Sequence, residues 1–318
     1  QLKVIDPCSG SGHILAYMFD VLMKIYESYG YTTREAVASI VENNLYGLDI
    51  DDRAAQLAYV AVMMKARQYD RRFFSRGIQP NVYAIVESNH VDKFAVDYFC
   101  NGDAKLTAAM DTIISELHDA KEYGSILTVT PQDWSALYDR FAEITEDINM
   151  SRDTALRELL PLVQVAEALA QKYDVGVTNP PCISYMGSAN MSVKLFDYIK
   201  THYADYKSDL FAAFILRIKQ FSKVNGMYAL ITQQAWMFKS SYRNLRPDIY
   251  QNAIINMLHL GAHAFDELAG EVVQTVTYVQ KNWHCMKYIG KYIALDKFDS
   301  EEKKKDAYFD NPSIYYSK

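Results

Sequence analysis

Short apolar runs alternate with longer amphipathic stretches along most of the chain. Runs typical of buried strands, such as residues 2–5 and 45–50, are bounded by glycine, proline or acidic residues. Stretches with apolar residues at three- and four-residue spacing follow them, the first from His13 to about Tyr29. Strands that alternate with helices in this way predict an α/β fold built on a largely parallel sheet.

The middle of the chain departs from this alternation. Residues 88–172 are mainly helical in pattern, with one short extended apolar piece at 125–129. A connection of this length usually has structure of its own, so we predict a helical insertion that includes one core strand. The insertion separates a first half at 1–87 from a second half at 173–282, and residues 283–318 are expected to be a stub or linker.

Composition is that of an ordinary soluble globular protein, with 50% hydrophobic and 23% charged residues. No apolar run approaches the roughly 18 residues of a membrane span. The four cysteines are scattered without metal-ligand spacing, so we expect no metal site, no disulfide framework and a cytoplasmic location. The formal net charge of −6 argues mildly against tight nucleic-acid binding by these residues alone. Because the chain starts on a strand and without Met, we expect it to be part of a longer protein.

A glycine loop with the sequence DPCSGSG follows the first strand at residues 6–12 and precedes the first helix. It lacks the third glycine of the dinucleotide-binding fingerprint. Asp6, followed by Pro7, would repel a pyrophosphate but attract a cation such as an ammonium group. Gly10 and Gly12 would let a ligand approach the backbone closely. A purely structural turn is the alternative interpretation.

Asp49 ends the second strand and is a candidate for binding a ribose. A carboxylate can accept hydrogen bonds from two neighbouring hydroxyl groups, and Ile50 would then lie against a purine. The alternative is that Asp49 caps the next helix, but Asp51 or Asp52 is better placed for that.

The fourth strand ends in Asn179, Pro180, Pro181 and Cys182. The prolines exclude both a continued ladder and an immediate helix. The amide of Asn179 is therefore held at the carboxyl end of a strand, where open α/β sheets bind their ligands. An amide oxygen beside a carbonyl oxygen suits a planar amino group.

In this order the three motifs resemble those of the S-adenosylmethionine-dependent N6-adenine DNA methyltransferases of the gamma arrangement. Residues 10–15, 43–51, 235–238 and 261–265 are also similar to the adenine methyltransferases of BREX and phage-growth-limitation defence systems. The resemblance covers most of residues 1–282 and is specific only as an ordered combination. It implies a Rossmann-like methyltransferase fold with a seven-stranded mixed sheet and helices on both faces.

The resemblance implies S-adenosylmethionine as cofactor and no metal ion. The residues implied around its methionine and ribose are Asp6, Pro7, Gly10, Gly12, Asp49 and Ile50. For the adenine edge of the cofactor, the candidates Glu87, Ser88 and Ser125 all remain open.

On the substrate side, the resemblance implies that Asn179 and the carbonyl of Pro180 accept the two amino hydrogens of an adenine flipped out of DNA. Pro181 completes the motif. Catalysis of methyl transfer would then come mainly from positioning and electrostatics. The implied partners are double-stranded DNA, bound largely through regions outside these residues, and other subunits of the defence system.

The residue after the second proline departs from the family pattern, because Cys182 stands where an aromatic ring usually stacks on the adenine. Tyr185 supplies that ring if residues 182–184 are a local insertion; otherwise the site is degenerate, weak or inactive. A further alternative makes Cys182 the covalent nucleophile of a cytosine-C5 methyltransferase. Asn179 before the prolines argues against it, and the sequence lacks the usual Glu-Asn-Val partner of that class.

Adenine-N6 methylation of DNA is therefore the leading hypothesis for function. A catalytically degenerate defence scaffold with the same fold is one alternative. The other is a methyltransferase that acts on a different planar amino or amide group, in RNA, in protein glutamine or in a small molecule.

Overall fold

The computed structural model describes residues 1–184, 191–265, 274–285 and 287–310, and the backbone of 315–316. The strands are β1 (Val4–Asp6), β2 (Leu45–Asp49), β3 (Asn81–Ala84), β4 (Tyr173–Thr178), β5 (Ser222–Gln233), β6 (Asn252–Gly261), β7 (Thr275–His284), β8 (Lys291–Ala294) and β9 (Tyr315–Tyr316). The helices are α1 (His13–Ser28), α2 (Thr33–Ser39), α3 (Asp52–Tyr69), α4 (Lys93–Cys100), α5 (Ala104–Glu116), α6 (Ala120–Tyr123), α7 (Trp134–Thr145), α8 (Met150–Ala170), α9 (Val193–His202), α10 (Leu210–Phe221), α11 (Ala235–Phe238), α12 (Leu245–Gln251) and α13 (Glu301–Asp310).

The chain divides into two compact units. The first comprises Ser9–Gln171 together with Gln1, and the second comprises Leu2–Cys8 and Lys172–Lys318.

In the first unit, β2 and β3 form a parallel pair, in register from Tyr46 opposite Asn81 to Asp49 opposite Ala84. The connection between them is α3, which contacts both strands, as a parallel crossover requires. The periodicity of α1 matches its burial, since Leu15 and neighbouring apolar residues on the same helical face are buried.

Helices α4 to α8 form the insertion of the first unit. They pack largely on the 21-residue helix α8, and the rings of Phe99 and Phe141 lie 4.4 Å apart between centroids. The core strand predicted at 125–129 is wrong: Gly124–Ile126 is a 3₁₀ turn, followed by irregular chain. Ile126 and Leu127 are buried, and periodicity alone cannot distinguish a short buried run from a strand.

In the second unit, the strands pair in the order β1-β4-β5-β7-β6-β8-β9. β1, β4 and β5 are parallel, whereas β7 runs antiparallel to both β5 and β6. The carboxyl ends of β4, β5 and β6 therefore lie at one edge of this sheet. Helix α10 packs on β4 and β5, and the indole of Trp236 is fully buried, edge to face with Tyr278.

These elements confirm the predicted α/β class and a mixed sheet. Among the described residues, β8 and β9 are strands beyond the seven that were predicted. None of the described helices is long and apolar enough to cross a membrane.

Candidate functional site

The glycine loop, residues 9–12, is tied to the end of β2 within the first unit. The Ser9 N–H donates to the carbonyl of Leu48 at 2.9 Å, and the Gly10 N–H donates to Asp49 Oδ2 at 2.8 Å. Gly10 and Asp49, which the motif interpretation assigned to one ligand, are thus in direct contact.

Gly10 and Gly12 differ in the space that a side chain would meet at each position. Both have a positive φ, +51° at Gly10 and +87° at Gly12, which side chains rarely adopt. A Cβ at Gly10 would meet open space, but one at Gly12 would lie 2.8 Å from the Cα of Ala58 in α3. Gly12 therefore allows α3 to pack against the start of α1, and Gly10 leaves room beside the loop. Gly12 is the N-cap residue of α1, which therefore begins without a side-chain cap.

The carboxylate of Asp49 is partly exposed at the end of β2. Its Oδ1 accepts from the Asp51 N–H at 2.9 Å, while Oδ2 accepts from Gly10. Asp51, not Asp49, caps α3 by accepting from the N–H groups of Arg53 and Ala54. Because a carboxylate offers about four acceptor positions, Asp49 can still accept hydrogen bonds from a pair of hydroxyl groups.

Ile50 presents an apolar surface next to Asp49, since 45% of it is exposed. Gly124 of the insertion lies close to Ile50, because a Cβ added at Gly124 would be 3.3 Å from Ile50 Cδ1. Of the three candidates for the cofactor's adenine edge, Ser125 belongs to this turn. Ser88 is buried, and its hydroxyl donates to the carbonyl of Ile114 at 2.5 Å within the insertion. Glu87 is exposed.

In the second unit, Asp6 ties the segment after β1 to the end of β4. Its buried Oδ1 accepts from the Thr178 hydroxyl at 2.8 Å and from the Cys8 N–H at 3.1 Å. Thr178 directly precedes Asn179. The fully buried carboxylate of Asp6, next to the buried Pro7, therefore fixes the backbone at Cys8 and the end of β4 just before Asn179.

Asn179 is exposed at the end of β4, while Pro180 is buried and Pro181 is exposed. Burial of the first proline anchors the turn, and exposure of Asn179 leaves its amide accessible to a ligand. Tyr185 lies outside the described residues.

Asp209, a residue that sequence reasoning missed, holds the chain that follows Pro181. Its Oδ1 accepts from the Ile183 N–H at 3.0 Å and caps α10 by accepting from Phe211 N–H at 3.2 Å. The Leu210 N–H donates back to the carbonyl of Ile183 at 2.9 Å. Burial raises the pKa of Asp209 although these main-chain donors oppose the shift. An acid before an apolar helix signals a cap, but nothing local indicates the second contact.

Cys182 is a poor candidate for a nucleophile. The residue is exposed at its surface, yet its thiol has enough close neighbours that desolvation raises its pKa. The charge of Asp209 raises this pKa further, and hydrogen bonding with Gln233 only opposes the shift. Since the thiolate is the reactive form, this raised pKa disfavours the cytosine-C5 alternative. Among the described residues, no group of three or more His, Cys, Asp or Glu side chains could hold a metal ion.

A glycine loop bonded to the acid that ends β2, and an Asn-Pro-Pro turn after β4, are features of the class of Rossmann-like methyltransferases. The chain belongs to the Eco57I restriction-modification methylase family, whose sequence model matches residues 43–265. The resemblance drawn from the motifs is thereby confirmed.

Two curated relatives cover nearly all of the chain. It is 39% identical to the adenine-specific methyltransferase PglX of Lacticaseibacillus casei (strain Zhang), over 99% of this chain and 27% of that protein. It is 40% identical to the adenine-specific methyltransferase BrxX of Escherichia coli O9:H4 (strain HS), over 96% and 27% respectively. The chain thus spans about a quarter of the length of these relatives.

Solved structures show the same fold at low identity. A nuclease-deletion mutant of the Type ISP restriction-modification enzyme LlaGI, in complex with a DNA substrate mimic, matches with a TM-score of 0.61 and 13% identity, over 99% of this chain and 24% of that one. The DrdV–DNA complex matches with a TM-score of 0.57 and 12% identity, over 100% and 27%.

Proposed function

We propose that the protein transfers a methyl group from S-adenosylmethionine to the N6 amino group of an adenine flipped out of DNA. The observation that carries the proposal is the exposed amide of Asn179, held after β4 through Thr178 and the buried Asp6. Membership of a restriction-modification methylase family supports the reaction, and two relatives named adenine-specific methyltransferases support the target. We place the activity in the cytoplasm, in a phage-defence or restriction-modification system whose other subunits are further partners.

The residues of the first unit fit the nucleoside part of the cofactor. Asp49 keeps acceptor capacity for the two ribose hydroxyls, and Ile50 offers an apolar face to a purine. Gly10 leaves open space for a ligand beside the backbone. When bound, S-adenosylmethionine supplies an electrophilic methyl group on a positively charged sulfur.

The methionine part of the cofactor is assigned to the glycine loop and the segment before it. Gly12 opens α1 without a side-chain cap, so the first N–H groups of the helix can serve a carboxylate. The buried Asp6 and Pro7 fix the approach to the loop, and the negative charge of Asp6 favours a nearby ammonium group.

On the substrate side, Asn179 Oδ1 and the Pro180 carbonyl would accept the two N6 hydrogens. Accepting both hydrogens draws the nitrogen away from planarity and makes its lone pair available for attack on the methyl group. Pro181 fixes the backbone so that these two acceptors keep their spacing. The catalytic contribution is pre-organised electrostatics and not covalent chemistry.

Asn179→Ala in the full-length protein tests this assignment. We expect N6-methyladenine in DNA to fall by about a hundredfold or more, the usual loss when one pre-organised group is removed, with cofactor affinity unchanged. Methylation at the wild-type level would overturn the role of Asn179. If labelled methyl groups from the wild-type protein enter RNA or protein but not DNA, the proposed substrate is wrong. If they enter no substrate, the scaffold alternative holds.

We assign the base-stacking ring to Tyr185, since Cys182 carries none. Tyr185→Phe should retain methylation and Tyr185→Ala should lose most of it, because only the ring face is required. Undiminished activity of the alanine variant would remove Tyr185 from the site.

A further inference from the structure

The charge of the chain changes sign around the Asn-Pro-Pro turn. The whole chain has 33 Lys and Arg against 39 Asp and Glu, but residues 191–246 contain nine basic residues and three acidic ones. Between Asp174 and Asp197 the sequence contains no acid at all. The stretch that follows the candidate catalytic motif is therefore locally suited to an anionic partner.

Hydrogen bonds join two exposed segments of this basic region in the second unit. The Ser208 hydroxyl donates to the carbonyl of Ser241 at 3.1 Å. The Asn244 side chain donates to Asp205 Oδ1 at 2.8 Å, and Tyr206 donates to Asp248. The chain before α10 thus lies along the turn that leads into α12.

The same region is joined to the chain after Pro181. Asp209, which holds Ile183, is two residues beyond Lys207. The buried ring of Tyr242 lies at a tilt to that of Phe211, 5.6 Å between centroids. Burial raises the pKa of Tyr242, and the nearby Asp209 and Cys182 raise it further. Residues 205–208 and 239–244 therefore flank the candidate adenine-binding turn.

Three cations are exposed on these two segments: Lys207, Lys239 and Arg243. Within the part of the chain that the structure describes, none of them forms an ion pair. Arg246 differs, because its guanidinium is committed to the carbonyls of Trp236 and Lys239 at 3.1 and 2.8 Å. The nearby Asp205 already accepts from Asn244.

We propose that Lys207, Lys239 and Arg243 form a phosphate-binding surface for the DNA strand whose base enters the Asn179 turn. The inference rests on the proposed function, in that DNA is taken as the substrate. Phosphate contacts fix the register of a protein on the duplex without reading sequence. This surface would hold the backbone on either side of the extruded nucleotide, so that the base reaches Asn179 in one orientation.

The salt dependence of DNA binding tests the surface. We would use the full-length protein with Asn179→Ala, so that binding is measured without methyl transfer, and titrate a fluorescent duplex over a range of KCl concentrations. Each lost phosphate contact should reduce the slope of log K against log salt by about 0.9. The combined variant Lys207→Gln, Lys239→Gln and Arg243→Gln should therefore lower the slope by between about 2 and 3.

A matched control removes three other exposed lysines of the same unit, Lys287→Gln, Lys297→Gln and Lys305→Gln. The change in net charge is identical, and we expect a slope within about 0.5 of the parent, because these positions make no phosphate contact in the proposal. Lys207→Arg with Lys239→Arg should keep the parent slope, which separates loss of charge from loss of folding.

Equal slopes for the test and control variants would overturn the surface. So would a loss of slope seen with an RNA duplex but not with DNA. Both results are independent of methylation, so they are distinguishable from failure of the proposed reaction, which is measured on the protein with Asn179 intact. With active protein, the three-residue variant should raise the KM for DNA and leave the cofactor Kd unchanged.

Discussion

Asp49, the last residue of β2, and Asp209, just before α10, each hold a loop by the same kind of hydrogen bond but differ in what else they do. Each carboxylate accepts from two main-chain N–H groups. Asp49 is partly exposed and leaves the capping of the next helix to Asp51, whereas Asp209 is buried and caps its own helix. Asp49 is partly exposed and does not cap α3, so its carboxylate can still accept hydrogen bonds from a ligand. The hydrogen-bonding capacity of the buried Asp209 is used within the protein.

The largest expected effect is on the free energy of unfolding, from substitutions in the glycine loop that is bonded to Asp49. Gly12→Ala combines a φ of +87° with a contact of 2.8 Å to Ala58 Cα, so we expect a loss of about 2–5 kcal/mol in the free energy of unfolding. Gly10→Ala, with open space at its Cβ position, should cost only about 1 kcal/mol. Denaturant titration measures both. Equal losses would show that the approach of α3 is unimportant.

Asp49→Ala tests the ligand-binding side of the comparison. Loss of charged hydrogen bonds of about 1.5–3 kcal/mol should weaken S-adenosylmethionine binding by roughly 10- to 100-fold, measured by calorimetry. The control is Asp52→Ala, which removes an exposed ion pair with Lys121 at 2.7 Å and should change little. If Asp49→Ala binds the cofactor within about twofold of the parent, Asp49 serves only to hold the glycine loop.

Substitution of Asp209 should affect stability and kcat but not cofactor binding, in contrast to Asp49. Asp209→Ala is expected to cost about 1 kcal/mol of stability through the lost cap and to lower kcat, while the cofactor Kd stays constant. Asp209→Asn keeps an oxygen that accepts from Ile183 and Phe211, so it should retain most activity. A weakened cofactor Kd in Asp209→Ala would erase the distinction between the two aspartates.

The pH dependence of stability sharpens the same distinction. Because burial raises the pKa of Asp209 in the folded protein, ionisation opposes folding: stability is lost as pH rises from the unfolded pKa towards the folded one. Asp209→Asn removes this loss, so it should be more stable than the parent near pH 7 and equal to it at acidic pH below the ordinary carboxyl pKa. A constant difference across this range would contradict the assignment.

The smallest effect concerns Cys182, which is close to Asp209. Its raised pKa leaves less thiolate at pH 8 than in the unfolded chain. Alkylation of Cys182, followed peptide by peptide with mass spectrometry, should therefore be slower in the folded protein and accelerate at higher pH. Asp209→Asn should increase the rate, since a negative neighbour is removed. Faster alkylation in the folded than in the unfolded state would contradict the raised pKa.

Local patterns sufficed to predict the elements that carry the candidate site residues. The glycine loop, the acid that ends β2 and the prolines after β4 indicate strand ends, because such residues affect the backbone only within a few positions. The prediction that Asp51 or Asp52, and not Asp49, caps α3 is confirmed for the same reason, because capping signals are local.

What sequence could not provide was contact between distant positions. The bond from Ile183 to Asp209 spans 26 residues, and that from Thr178 to Asp6 spans 172; neither leaves a periodic trace. The strand wrongly predicted at 125–129 failed because burial, and not pairing, explains its apolar run. The roles of Asn179 and Tyr185 in catalysis stay predictions.

The proximity of Gly124 to Ile50 has a consequence for protein engineering. Residues 88–172 are an attractive segment to delete or exchange when building a minimal enzyme or a chimera, because they interrupt the alternation of strands and helices. Such an exchange would also remove the neighbour of Ile50, an apolar side chain proposed to face the purine of the cofactor. A chimera that exchanges residues 88–172 therefore needs a segment that replaces the Gly124 turn. Without one, we expect it to bind S-adenosylmethionine more weakly.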